Sequence, residues 1–262
     1  MNTLALTEQQ RQQILADWVP MPRYQLRCWV VRRLIRQFPA ASFVEIGAAA
    51  GDMAEWLSRR GMRGVATEIS PSAIRLLEAR FEDRPQVTIH PRDAADLDIQ
   101  TDLVLAMEVL EHIEDDRATL QDWFRLVRPG GRLIISVPAH PHLFSAEDEM
   151  AGHFRRYSKR ELQDKLKQAG FDEIDVLAYG FPLGLVLKQL RTLISRWRMR
   201  EDRRSRLERT CASGVDRRRA ARFRWLLSGV CLLPFNLMQM PFLKRDWSDG
   251  YIAIARRPDS RA

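Results

Sequence analysis

Apolar residues along the chain follow two rhythms. After Pro22, Leu26, Val30, Leu34 and Phe38 recur at helical spacing with Arg27, Arg32, Arg33 and Arg36 largely between them, which predicts an amphipathic covering helix over 22–37. A polar, glutamine-rich helix is expected before it, over 7–18, with Pro20-Met21-Pro22 as the break. Short apolar runs at 42–46, 64–68, 86–90, 102–107, 132–137 and 171–178 read instead as strands separated by helical stretches. That alternation predicts an α/β fold, a parallel sheet covered on both faces by helices.

The joints carry matching chemistry. Ser70-Pro71 pairs a capping residue with a proline at the first helical position and starts a helix ending near 81. Ser158 and Glu161 form a capping box whose helix Gly170 ends, and Pro129-Gly130-Gly131 turns into the strand at 132. Beyond 178 the chain becomes basic and apolar helix until a last strand at 251–255. The expected organisation is a helical N-terminal cover (1–40), a core (41–180), a helical insertion (181–245), and the final strand with its tail (246–262).

Charge sharpens this division. The net charge is +8, but 181–245 holds 16 Lys/Arg against 4 Asp/Glu, so the rest of the chain is net negative by four. A segment of this kind faces a membrane surface, nucleic acid or a phosphorylated substrate, or else is a solvated helical face. Within it, 225–243 is uncharged for 19 residues, close to the roughly 20 needed to span a bilayer. A single crossing there would leave the last strand on the far side from its sheet, and Pro234, Asn236, Gln239 and Pro241 interrupt the run. Two readings stay open, a lid over an acceptor pocket and an anionic-membrane-surface element flanked by arginines. Few aromatics interleave with those arginines, which places nucleic acid behind the other partners. Residues 1–20 lack the apolar stretch of a signal peptide, and the three cysteines are too far apart for a disulfide framework or cysteine zinc site; a cytoplasmic location, extending to the inner membrane face, is expected.

The candidate binding loop follows the first strand, at Glu45-Ile46-Gly47-Ala48-Ala49-Ala50-Gly51. A dinucleotide fingerprint would need glycines at 47, 49 and 52, where the chain has Gly47, Ala49 and Asp52, and so fails twice. The pattern E-x-G-x-G-x-G is met by Glu45, Gly47 and Gly51, with Ala49 in place of the middle glycine. It is the motif of class I S-adenosylmethionine-dependent methyltransferases. The chain resembles that superfamily over 23–180, and within it is similar to the ubiquinone-biosynthesis O-methyltransferase-like subgroup. The resemblance implies a Rossmann-like seven-stranded, mostly parallel sheet with an antiparallel last strand, and S-adenosyl-L-methionine as cofactor. It places Glu68 and Ile69 at the ribose, Asp93 and Ala94 at the adenine, and Met107 at the end of the fourth strand beside the cofactor. Ala49 is tolerable in the loop if its φ is negative, though its methyl would narrow the methionine end of the site.

Glu108, Glu111 and His112 resemble the segment of ubiquinone-biosynthesis and small-RNA 2′-O-methyltransferases in which two acids and a histidine help hold a divalent cation. The alternative, ranked ahead of a metal, is that Glu111 and His112 pack against cofactor or cap the next helix, whose start Glu114, Asp115 and Asp116 favour. The loop after the fifth strand resembles the subgroup's acceptor segment. It offers His153 as proton acceptor, with His112 as second catalytic candidate, and Arg155, Arg156 and Tyr157 as substrate contacts. Arg156 and Tyr157 could equally tie the loop to the helix after Ser158. No Asn/Asp-Pro-Pro-aromatic segment follows the fourth strand and no cysteine the fifth, which disfavours methylation of nucleobases. The expected reaction is O-methylation of a small or lipid-linked acceptor such as a quinone precursor or glycan intermediate. RNA ribose 2′-O-methylation is the alternative enzyme. A non-catalytic cofactor-binding or membrane- or partner-binding protein is the alternative of another class.

Overall fold

The structure is a computed structural model describing residues 7–199, 205–212 and 231–259. Two helices open the chain, α1 (Glu8–Asp17) and α2 (Pro22–Ile35). The core follows as β1 (Ser42–Ile46), α3 (Asp52–Ser58), β2 (Arg63–Thr67), α4 (Pro71–Phe81), β3 (Val87–His90), β4 (Thr101–Met107), α5 (Asp116–Leu126) and β5 (Val127–Pro138). After these come α6 (Ala146–Ala151), α7 (Lys159–Gln168) and β6 (Asp172–Tyr179), then α8 (Leu183–Met199), α9 (Arg206–Ala212) and β7 (Gly250–Arg256).

The seven strands run in the order β3-β2-β1-β4-β5-β7-β6, parallel except for β7, which is antiparallel to both β5 and β6. The expected architecture is therefore present, including the antiparallel last strand and the helical insertion before it. Side-chain alternation divides the core into two layers. Phe43, Leu103, Leu105, Ile134 and Ile252 pack with α2, α3 and α4 on one face, while Val44, Val104, Leu133, Ile135 and Ala253 pack with α5 and α7 on the other. The strand order reverses between β1 and β4, and a crevice opens there at the carboxyl ends of the strands.

Local details differ from the sequence reading in instructive ways. Extended pairing in β5 begins at Val127, five residues early, because Val127 pairs with Thr101 before a register shift admits the glycine turn. Ser70 precedes α4 as expected, but its hydroxyl bonds that of Ser72 at 3.0 Å instead of a backbone N–H. At Ser158 the capping box is complete.

The basic stretch 196–224 and the uncharged run 225–243 fall partly outside the described residues, which omit 200–204 and 213–230. The described part of the uncharged run is a six-residue helix, Leu233–Met238, and a 3-10 turn, Met240–Phe242. Gln239 explains why this segment packs on the core. Its side chain is buried, accepts the Gly180 N–H at 2.9 Å and donates to the Leu26 carbonyl at 3.2 Å. Among the described residues, no helix is long and apolar enough to cross a membrane. Replacing Gln239 by Ala would strand both backbone groups away from water. The expected loss is about 2–4 kcal/mol in urea unfolding; a loss below about 1 kcal/mol would show that the segment is not held this way.

Candidate active site

A cavity of about 1090 Å³ opens at the strand switch. One wall is the β1 loop, the ends of β2 and β4 and the 3-10 turn after β3; the other is α1–α2, the residues past β4, and helices α6, α8 and α9. Of the nine residues expected at the cofactor, Glu45, Gly47, Ala49, Glu68, Ile69, Asp93, Ala94 and Met107 line it.

Gly51 stands behind the loop instead. Its φ is +73°, and a Cβ there would come within 2.6 Å of Leu77 and 2.7 Å of Phe81, so glycine serves the packing of α3 on α4. Gly47, at φ +62°, lies under Val109, whose Cγ2 would meet a Cβ at 2.7 Å. Ala49 has φ +49°, contrary to the negative φ expected for a tolerated alanine. Its N–H donates to Glu68 Oε2 at 2.8 Å, while the N–H groups of Ile69 and Ser70 donate to Oε1 at 2.8 and 2.9 Å. Glu68 thus holds the loop in this conformation and orients its own carboxylate at the cavity edge. Asp93 accepts the Ala95 N–H at 2.9 Å.

Glu45 is buried beneath the loop and accepts the Ala54 N–H at 2.7 Å. Burial pushes its carboxyl up to about 8, against the opposing effect of that hydrogen bond.

Past β4 the cavity is lined by ionisable groups that sequence proximity alone did not sort. Glu108 has φ +60°, a strained conformation of the kind found at functional sites. It turns away from Glu111 toward α2, pairing with Arg23 and, at 3.5 Å, with Arg27. Ser136 Oγ and Tyr179 OH donate to Oε1 at 3.3 and 3.2 Å. Burial alone would raise this carboxyl, but the two guanidiniums hold it down at about 2. Glu108 is therefore engaged elsewhere and drops out of the expected ligand set Glu108, Glu111 and His112.

His153 takes its place. Ligand atoms of Glu111, His112 and His153 all lie within 4.8 Å of one another. Glu111 is fully buried, neither carboxyl oxygen has a hydrogen-bond partner among the described residues, and burial, then Glu108, push its carboxyl well above the usual range. His112 packs edge-on to His153, with ring centroids 4.7 Å apart, and its Nδ1 lies 3.1 Å from Thr210 Oγ1. Burial, then His153, lower it to about 3.

The group behind His153 is Asp148, fully buried and 2.9 Å from His153 Nδ1. A carboxylate only accepts, so it fixes the proton on Nδ1 and leaves the lone pair on Nε2, which lies 3.9 Å from Glu111 Oε1. Burial would raise Asp148, but hydrogen bonds from His153 and Arg156 hold it well below the usual carboxylate range. Asp148 was missed as a functional residue because its neighbours Glu147 and Glu149 made it look like loop charge. Its one legible signal is the capping-box spacing from Ser145.

The three expected substrate contacts sit elsewhere. Arg156 is buried, donating to Asp148 at 2.8 Å and to the Ala139 carbonyl at 3.0 Å. Tyr157 is fully buried with its hydroxyl on Asp116 at 2.9 Å, and Arg155 bonds the Glu114 carbonyl at 2.7 Å. None of the three lines the cavity. They tie the loop down, because a buried guanidinium and phenol must be satisfied by the nearest acceptors.

The fold and cavity define an α/β domain of the Rossmann-like class with a large cavity over its sheet edge. The sequence model for the family described as "Methyltransferase domain" matches residues 20–176, more than half of the chain, and the chain belongs to that family. S-adenosylmethionine is its cofactor. A probable S-adenosylmethionine-dependent methyltransferase of Mycolicibacterium smegmatis is 27% identical over 161 residues, 60% of this chain and 62% of the relative. The mitochondrial ubiquinone biosynthesis O-methyltransferase of Schizosaccharomyces pombe is 31% identical over 105 residues, 38% of each chain. The chain thus spans less than two thirds of these curated relatives. The N-methyltransferase NodS of Bradyrhizobium japonicum WM9, solved with S-adenosyl-L-homocysteine, shares the fold at a TM-score of 0.57 and 17% identity over 96% of this chain and 98% of its own.

Two outcomes follow from the loop. Ala49→Gly relieves a left-handed alanine and should stabilise the protein by about 1 kcal/mol in thermal unfolding, with cofactor affinity equal or tighter; a marked loss of affinity would contradict the geometry. Glu45 keeps its proton in the folded state up to about pH 8, whereas the unfolded chain releases it near pH 4.3. Its contribution to stability is therefore present at low pH and lost as pH rises through that window. Cofactor-free protein should lose melting temperature relative to Glu45→Gln between about pH 5 and 8; parallel curves would show that the carboxyl is already ionised.

Proposed function

We propose that the chain transfers the methyl group of S-adenosylmethionine to a hydroxyl oxygen of a small acceptor bound between His153 and the cofactor. The carrying observation is the hydrogen bond to Asp148 that fixes the ring of His153, a histidine lining the cavity. The acceptor oxygen attacks the methyl carbon, the C–S bond breaks with its electrons to sulfur, and S-adenosylhomocysteine leaves as a neutral thioether. The hydroxyl proton passes to His153 Nε2. Most of the acceleration comes from positioning and from exclusion of water.

The cavity supports room for both molecules, since single-ligand pockets run to about 300–1,000 Å³ and this one is near 1090 Å³. Leu187, Leu190 and Ile194 of α8 and Leu207 of α9 line its outer half, which suits an acceptor with an apolar body, such as a quinone precursor or the lipid-linked glycan intermediate class.

One observation favours a second reading of the same step. The orphaned carboxyl oxygens of Glu111, set beside two imidazoles, fit a divalent cation. Glu111, His112 and His153 would hold it, and it would acidify the acceptor hydroxyl. The readings compete for His153 Nε2.

Calorimetry with S-adenosylmethionine should show binding that Glu68→Ala weakens roughly tenfold to a hundredfold. No heat with the native protein would sink the enzyme reading. His153→Ala should lower kcat about 10²–10⁴-fold with cofactor affinity retained. Titration with Mn²⁺ alone separates the two chemistries: binding abolished by Glu111→Gln favours the cation, and absence of binding leaves His153 as the base.

A further inference from the structure

Helix α8 turns several polar side chains toward the protein: Lys188 is buried, with Nζ 3.3 Å from Ser145 Oγ and 3.9 Å from Glu147, and Ser195 is buried too, while Gln189 and Arg196 are exposed. Arg191 bonds Glu147 at 2.6 Å and Asp249 at 3.3 Å, and Thr192 Oγ1 lies 3.3 Å from Ser145 Oγ. Four of its apolar side chains are largely exposed, Val186 at 66%, Leu190 at 54%, Leu193 at 66% and Trp197 at 68%. Their spacing of four, three and four residues makes one stripe along the helix.

The stripe is not an isolated defect. Nine of the fourteen exposed large apolar side chains of the described residues belong to 181–245. The stripe along α8 is the contiguous part of this apolar surface, and such a stripe on a water-facing helix marks a contact surface. The chemistry of the partner follows from charge and position. Lys188 and Arg191 are neutralised inward, yet without them 181–245 still carries ten more basic than acidic residues, and exposed Arg196 adjoins Trp197 at the end of the stripe. Apolar insertion, an interfacial tryptophan and excess positive charge together suit an anionic lipid surface. Leu190 and Ile194 also line the cavity, so the same helix borders both that cavity and the outer stripe.

We infer that the outer face of α8 docks on an anionic bilayer surface, with the mouth of the cavity at the lipid. Docking does not depend on methyl transfer, but it deepens that reading by giving an amphiphilic acceptor a route from the membrane.

The test uses the full chain with vesicles of phosphatidylcholine, alone and mixed with phosphatidylglycerol, in a sedimentation assay over a salt series. The protein should sediment with the mixed vesicles and be released as salt rises. Leu193→Glu combined with Trp197→Glu should weaken this by at least about tenfold, with melting temperature and S-adenosylmethionine affinity unchanged. Should the double variant fold poorly, brominated lipid should quench the native protein's tryptophan emission more than that of Trp197→Phe. No retention on anionic vesicles overturns the proposal. So do equal retention of native protein and variant, equal quenching, and lipid-free self-association that the double substitution abolishes. Cofactor calorimetry on the same samples reports separately on the catalytic reading.

Discussion

The site depends on one buried contact, the carboxylate of Glu108 between Arg23 and Arg27. Two guanidiniums and a carboxylate are costly to take out of water, and charge pairing with good hydrogen bonds to the carboxylate offsets that cost. Here Ser136 and Tyr179 complete the carboxylate, and the backbone accepts a positive φ to present it. Arg23 also reaches Asp249, which Arg191 of α8 shares. A continuous run of opposite charges therefore joins α2, the end of β4, the start of β7 and the insertion. These are the elements that close the cavity over the sheet edge.

What could be read from sequence was what periodicity and local backbone chemistry control. The sheet, its helices and the cofactor loop follow from alternating hydrophobicity and from glycines at turns, so Glu68 and Asp93 stand at the cavity where they were expected. Where side-chain partners decide, the reading stayed open or failed. Arg156 and Tyr157, read either as substrate contacts or as ties to the helix after Ser158, are buried ties, Arg156 on Asp148 of the same loop and Tyr157 on Asp116, 41 residues upstream. Glu108 looked like a partner of Glu111, only three residues away, but arginines some 80 residues upstream outbid it. Ala49 was judged on the wrong sign of φ, because the pull of Glu68 on its N–H outweighs the modest cost of a left-handed alanine.

The two halves of the cavity are built on different principles. The half at the β1 loop is fixed by backbone groups and one carboxylate, and tolerates little change because Gly47 and Gly51 are hemmed in by Val109, Leu77 and Phe81. The opposite half is walled by side chains of α6, α8 and α9, which lie outside the sheet.

That contrast has a topological root. Tyr179, the last residue of β6, lies directly opposite Gly250, the first of β7. The intervening 70 residues, 180–249, leave the sheet and return at one point. Closing such an excursion costs little more as it lengthens, since the entropy of closure grows only with the logarithm of its size. The insertion's covalent joints with the sheet thus lie side by side, while Gln239 and Arg191 fasten it to the core from above. Residues can therefore be added to it or removed at small entropic cost while the ends of β6 and β7 stay paired.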